Sequence, residues 1–146
     1  MFTTFGLTQI LNWFRGQSVT APASLDMALY VTTWGDVGTN PELATGATEV
    51  AVAGYSRISL TVATVFSAVP ATAGAIGGRI PTQITSQVLI QTASALAAPA
   101  TVRSFALFAG ANPWIIANLN SAVTVAAGNR FQITTGNLIE RSYGAL

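Results

Sequence analysis

From Leu25 onward the chain alternates. Apolar and polar residues trade places in short runs, and Gly, Pro or Asn breaks the runs at spacings of about a dozen residues. A period of two gives a pleated strand one apolar face, and short strands separated by turn signals pair antiparallel with their neighbours. The pattern accommodates about eight such strands. It predicts a mainly β fold, an antiparallel β-sandwich or jelly-roll-like barrel, with a short N-terminal α-helix.

The individual strands follow from this period. Leu25, Met27, Leu29 and Val31 alternate with Asp26, Ala28, Tyr30 and Thr32, which reads as a half-buried strand. The segment 55–66 reads as the clearest strand, with Ile58, Leu60, Val62 and Phe66 on one side. Along 101–108, Phe105 and Leu107 share one face and Val102, Ala106 and Phe108 the other, so both faces of that strand are expected to be covered. Shorter candidates lie at 80–84, 87–92, 114–119, 123–125, 131–133 and 138–139. Segments 34–48 and 69–78 are rich in Gly and Pro and read as loops, and the Ala-rich 93–100 reads as a turn. The expected core is Ile58, Leu60, Val62, Phe105, Leu107, Phe131 and Ile133.

Before residue 24 the period is helical. Leu7, Ile10, Leu11 and Phe14 recur at i, i+3, i+4 and i+7, and Phe5 and Trp13 widen the apolar side. Thr4 is the expected N-cap, Arg15 falls in the last turn, and Gly16 suits the left-handed position that closes a helix. The chain then divides into an N-terminal docking helix over 1–16, a Pro-containing linker over 17–23 and a single β-sandwich domain over 24–146. So short a helix is marginal alone and must bury its stripe on something. Its partner is either its own domain or a neighbouring subunit, which makes Leu7, Ile10, Leu11, Trp13 and Phe14 interface candidates.

Composition narrows the function. The 146 residues include no Cys and no His, and all six positive charges are Arg. Thiol nucleophiles, zinc–thiolate sites and His-dependent general bases are therefore excluded, and the absence of Lys removes a Ser–Lys pair. Asp36, Glu42 and Glu49 match no calcium-binding spacing, and Gly74-Ala75-Ile76-Gly77-Gly78 matches no phosphate-binding loop. The reading is a non-enzymatic protein with no catalytic residues, no metal and no cofactor. A net charge of +1 gives no footprint for nucleic acid. The longest uncharged stretch, 80–102, is interrupted by Pro, Gln and Ser, so no membrane insertion is expected. Hydrophobic residues make up 51% of the chain and charged residues 8%. A surface so poor in charge is expected to be covered in part by other subunits, which points to a homodimer or homotrimer. Trp34 and Arg57 are further interface candidates: Trp34 as a large aromatic, and Arg57 as a strand cation that needs an acid or carbonyl partner if covered. Trp34, Trp114 and Tyr30 are also the candidates for stacking on a sugar.

The order of these pieces resembles the small bacteriophage virion proteins known as phage tail fibre proteins. The resemblance rests on Phe14-Arg15-Gly16, Ala21-Pro22-Ala23 and the strand Met27-Ala28-Leu29-Tyr30, followed by Thr48-Glu49-Val50 and Gly54-Tyr55-Ser56-Arg57. It continues through 104–109, 114–119 and 123–138, with turns at Gly128-Asn129 and Gly136-Asn137, where the family usually carries an acid in place of each Asn. The resemblance implies a virion structural protein, made in the host cytoplasm, that assembles with itself and with other virion proteins as a tail-fibre-type module. Two alternatives stand beside it: a capsid decoration or cement protein, and a carbohydrate-binding β-sandwich module directed at a host-surface glycan.

Overall fold

The computed structural model describes residues 2–34, 47–66, 82–85, 88–134 and 139–142. Residues 35–46 of the expected 34–48 loop, the expected loop over 69–78, with Asp36, Glu42 and the Gly74–Gly78 run, and the Gly136-Asn137 turn lie outside them. The fold is mainly β and antiparallel, with one longer helix at the N-terminus. In chain order the elements are α1 (Thr4–Phe14), β1 (Ser24–Tyr30), β2 (Ile58–Thr61), α2 (Val62–Val65), β3 (Thr82–Thr85), β4 (Ile90–Gln91), β5 (Ala100–Ala109), β6 (Asn112–Val125), β7 (Gln132–Ile133) and β8 (Ile139–Ser142).

The principal sheet has the order β2-β1-β5-β6, and two-stranded pairs β3-β8 and β4-β7 accompany it. Its register sets Met27 against Leu107 and Leu29 against Phe105 on one face, and Ala28 against Ala106 on the other. The first face belongs to the main core. There Leu25, Met27, Leu29, Ile58, Leu60, Phe105 and Leu107 cluster with Ile90, Leu96 and Phe131, so β4, β7 and the connection between β4 and β5 form a second layer. Leu96 is tied to the turn after β6: its N–H donates to Asn129 O and its carbonyl accepts from Gly128 N, both at 2.8 Å. The opposite face holds a smaller cluster of Ala28, Tyr30, Trp34, Ala106, Phe108 and Ile116.

Several sequence expectations change. β1 is not half-buried; both of its faces are covered from Met27 to Tyr30, because the main core packs on Met27 and Leu29 and the smaller cluster with Trp34 on Ala28 and Tyr30. The strand expected to run to Phe66 stops at Thr61, and Val62–Val65 turn into a single helical turn. The cause is the neighbour. Thr61 pairs with Ser24, the first residue of β1, and Val62 N donates to Ala23 O. Beyond Ala23 stands Pro22, which has no N–H to offer a ladder, so the chain closes on itself through Phe66 N to Val62 O. Val62 is consequently only partly buried, as is Ile133. Val102 joins Phe105 and Leu107 in the main core, not Ala106 and Phe108, across a register irregularity between Val102 and Ser104. The two short strands expected at 114–119 and 123–125 are one long strand, β6, running past that irregularity.

The helix begins one residue earlier than expected. Thr3, not Thr4, is the N-cap; its hydroxyl accepts from Gly6 N at 3.1 Å and donates to Pro113 O. Arg15 is the C-cap, and Gly16 follows at φ 74°. A long-range contact decides the start: Thr3 N donates to Trp114 O at 3.0 Å, so the cap is also the attachment to β6.

Candidate functional site

The first turn of α1 is its anchor. Phe2 bridges Ile115, Thr3 is buried against Pro113 and Trp114, and the Phe5 ring meets Trp114 edge-on at 5.8 Å. Gly6 is the point of closest approach, where an added Cβ would lie 2.6 Å from Trp114 O. The anchor therefore uses residues outside the apolar stripe. Leu7, Leu11, Trp13 and Phe14 remain 48%, 60%, 64% and 73% exposed, and Ile10 is half-buried. The Trp13 and Phe14 rings touch edge-on at 5.1 Å. The helix thus divides its two expected uses along its length: the N-terminal turn covers β6, and the stripe faces outward.

A second cluster lies where β1 outruns β2. The segment 48–50 takes over the pairing there, with Val50 N donating to Leu29 O and Val31 N to Thr48 O, both at 2.9 Å. Between the two partners, Leu29 N donates to the Tyr55 hydroxyl at 2.9 Å, and that hydroxyl donates to Glu49 Oε1 at 3.0 Å. Arg57 completes the cluster with Nε on Oε1 at 3.0 Å and Nη2 on Oε2 at 2.8 Å, and its guanidinium lies 4.3 Å from the centre of the Phe108 ring. The Arg57 hydrogen bonds hold the Glu49 carboxyl below its ordinary range, while burial pushes the Tyr55 phenol far above its usual value. Glu49 is accordingly an occupied carboxylate that clasps two segments together. Gly54 sets up the approach: it has φ 90°, and a Cβ there would overlap the Ala95 carbonyl.

The remaining sequence candidates separate. Arg57 finds its acid partner in Glu49, within its own chain. Trp34 is buried within its own chain: it is 9% exposed, its ring lies tilted against Tyr30 at 4.8 Å, and its indole N–H donates to Phe105 O at 2.9 Å. Its backbone is held on both sides by Asn118, which accepts from Trp34 N and donates to Trp34 O. Tyr30 is buried, and Trp114 is half-buried with Phe5 edge-on against it. Sequence reading missed Thr3 and Asn118, whose roles exist only through partners distant in the chain. Among the described residues no helix is long and apolar enough to cross a membrane.

Two comparisons bear on this geometry. The family described as podophage GP4 fiber I protein gp80 matches residues 2–140, which takes in α1, the clasp and nearly all of the β region. No curated protein matches the chain.

Proposed function

The chain belongs to the podophage GP4 fiber I protein family, and from that membership we propose that it is a non-enzymatic structural component of the phage tail fibre. In this reading it assembles with copies of itself, as a dimer or trimer, and with other virion proteins. The observation that carries it is the exposed stripe of α1. A helix anchored at one end with Leu7, Leu11, Trp13 and Phe14 turned outward offers apolar surface that a solitary domain has no use for. The fold behind it acts as a rigid mount: Thr3, Phe5 and Gly6 fix the helix to the long strand β6, which β5 in turn ties to the centre of the sheet. Membership in a fibre family favours the tail over capsid decoration as the place of assembly.

Two variants in the phage test this. Deleting residues 1–16 removes the whole helix, and Leu11→Asp with Phe14→Asp removes only its outward face. The β domain should stay folded in both, by circular dichroism, while the protein disappears from purified particles. Wild-type levels of the doubly substituted protein in particles would overturn the stripe's role in assembly, and absence of the wild-type protein from particles would overturn the fibre role. Unfolding of the domain in the deletion alone would assign the first turn to internal cover, and the substituted protein would still decide the role of the stripe.

A further inference from the structure

We propose that the outward face of α1 pairs with the same face of a second copy of this chain, the two helices running antiparallel about a two-fold axis. The proposal rests on the assembly role above and names the partner of that surface.

Spacing is the first argument. Leu7, Ile10, Leu11 and Phe14 form a pattern that reads the same from either end, about a midpoint between Ile10 and Leu11. An antiparallel copy sets Leu7 opposite Phe14 of the second copy and Ile10 opposite Leu11. A two-fold interface requires this self-complementarity, since every contact between unlike residues is made twice across the axis. An unrelated partner requires no such symmetry.

Area is the second. At 48%, 60% and 73% exposure, and roughly 150–250 Å² per large side chain, Leu7, Leu11 and Phe14 together present about 350 Å². A standard interface buries about 800 Å² on each partner, of which about 56–65% is apolar. One helix face therefore supplies about two thirds of the apolar complement of such an interface, and two faces of the same kind supply both sides equally.

Charge decides the orientation. No residue from Phe2 to Phe14 is ionisable, so two copies approach without repulsion along the stripe. Arg15 stands exposed at the helix C-terminus. Parallel packing would bring two Arg15 side chains to within about 10 Å, the ordinary distance between packed helices. The 11-residue helix is about 16 Å long at ~1.5 Å per residue, so antiparallel packing separates them by about twice the screening length of ~8 Å in physiological salt. Antiparallel helix dipoles also attract, whereas parallel ones repel.

Charge-pair variants of the full-length chain test the arrangement, read by light scattering and sedimentation, with circular dichroism to confirm the fold. The wild-type chain should have twice its monomer mass of 15.1 kDa. Leu7→Glu alone and Phe14→Lys alone should each raise the dissociation constant roughly 30-fold or more, as replacing an apolar anchor by an unpaired charge does. The double variant Leu7→Glu/Phe14→Lys should recover dimer, because the antiparallel axis sets the new carboxylate against the new ammonium. A parallel pair or trimer would set like charges together and recover nothing. A wild-type chain that is monomeric at about 100 μM, or trimeric, overturns the proposal, as does a double variant no stronger than the singles. Presence of the protein in particles is read separately. A monomeric chain that still incorporates overturns the pairing alone, and a dimer absent from particles overturns the fibre role alone.

Discussion

Arg57 grips Glu49 through both carboxylate oxygens, at 3.0 and 2.8 Å, while the Tyr55 hydroxyl shares one of them. The pair is partly exposed, so its Coulombic worth alone is small. Its importance is positional. It holds the segment 48–50 against the end of β1, at the point where β2 has turned away and β1 would otherwise lack a partner on that edge.

The first prediction concerns acid. The Arg57 hydrogen bonds hold the Glu49 carboxyl below its ordinary 4.5 in the folded chain. The unfolded chain therefore takes up this proton first as pH falls. The stabilising contribution is complete above about pH 4.5 and is lost as pH drops through the lower folded value. Glu49→Gln should be less stable than wild type at pH 7, and the difference should shrink below pH 4.5. Melting temperature measured from pH 7 to pH 3 checks it; a constant difference would contradict it.

The second concerns Tyr55→Phe. The substitution keeps the ring and removes the group that receives Leu29 N, leaving a covered backbone donor unpaired. It should cost about 1–3 kcal/mol in denaturant unfolding. It should also weaken the effect of Glu49→Gln, since the two changes share one network; a double-mutant cycle reads this coupling.

Sequence legibility followed the range of the interactions involved. The outward stripe of α1 was readable because four residues at helical spacing need no tertiary information, and the alternation at 25–30 and 101–108 marked β1 and β5 for the same reason. The ends of elements were not readable. β2 stops at Thr61 because β1 begins at Ser24, and α1 starts after Thr3 because Trp114 O receives its N–H. The clasp was half visible: Arg57 announced a need for a partner, but its acid lies eight residues back in irregular backbone whose path is set by pairing with β1. Trp34 looked as suited to an interface as to a core until Asn118, 84 residues away, was seen to fix it inward.

The third prediction tests the mount of α1. Gly6→Ala raises intrinsic helix propensity, yet its methyl would meet the Trp114 carbonyl at 2.6 Å. The clash should win, with a net loss of about 1–3 kcal/mol. A gain in stability would mean that the helix does not rest on β6 through this contact.

The fourth concerns the principal core. Leu29 is 1% exposed, opposite Phe105 and inside the sheet. Leu29→Ala should cost about 2–5 kcal/mol in equilibrium unfolding. A loss below that range would show that the cavity refills, which an interior strand covered on both faces should resist.

The central claim is that this chain is a structural part of the phage tail fibre, and its copy number in the particle tests that most directly. Quantitative mass spectrometry of purified virions should find the protein at a handful to a few dozen copies, lost together with the tail when tails are separated from heads. Hundreds of copies retained on the heads would place it on the capsid instead, and its absence from purified particles would contradict the account.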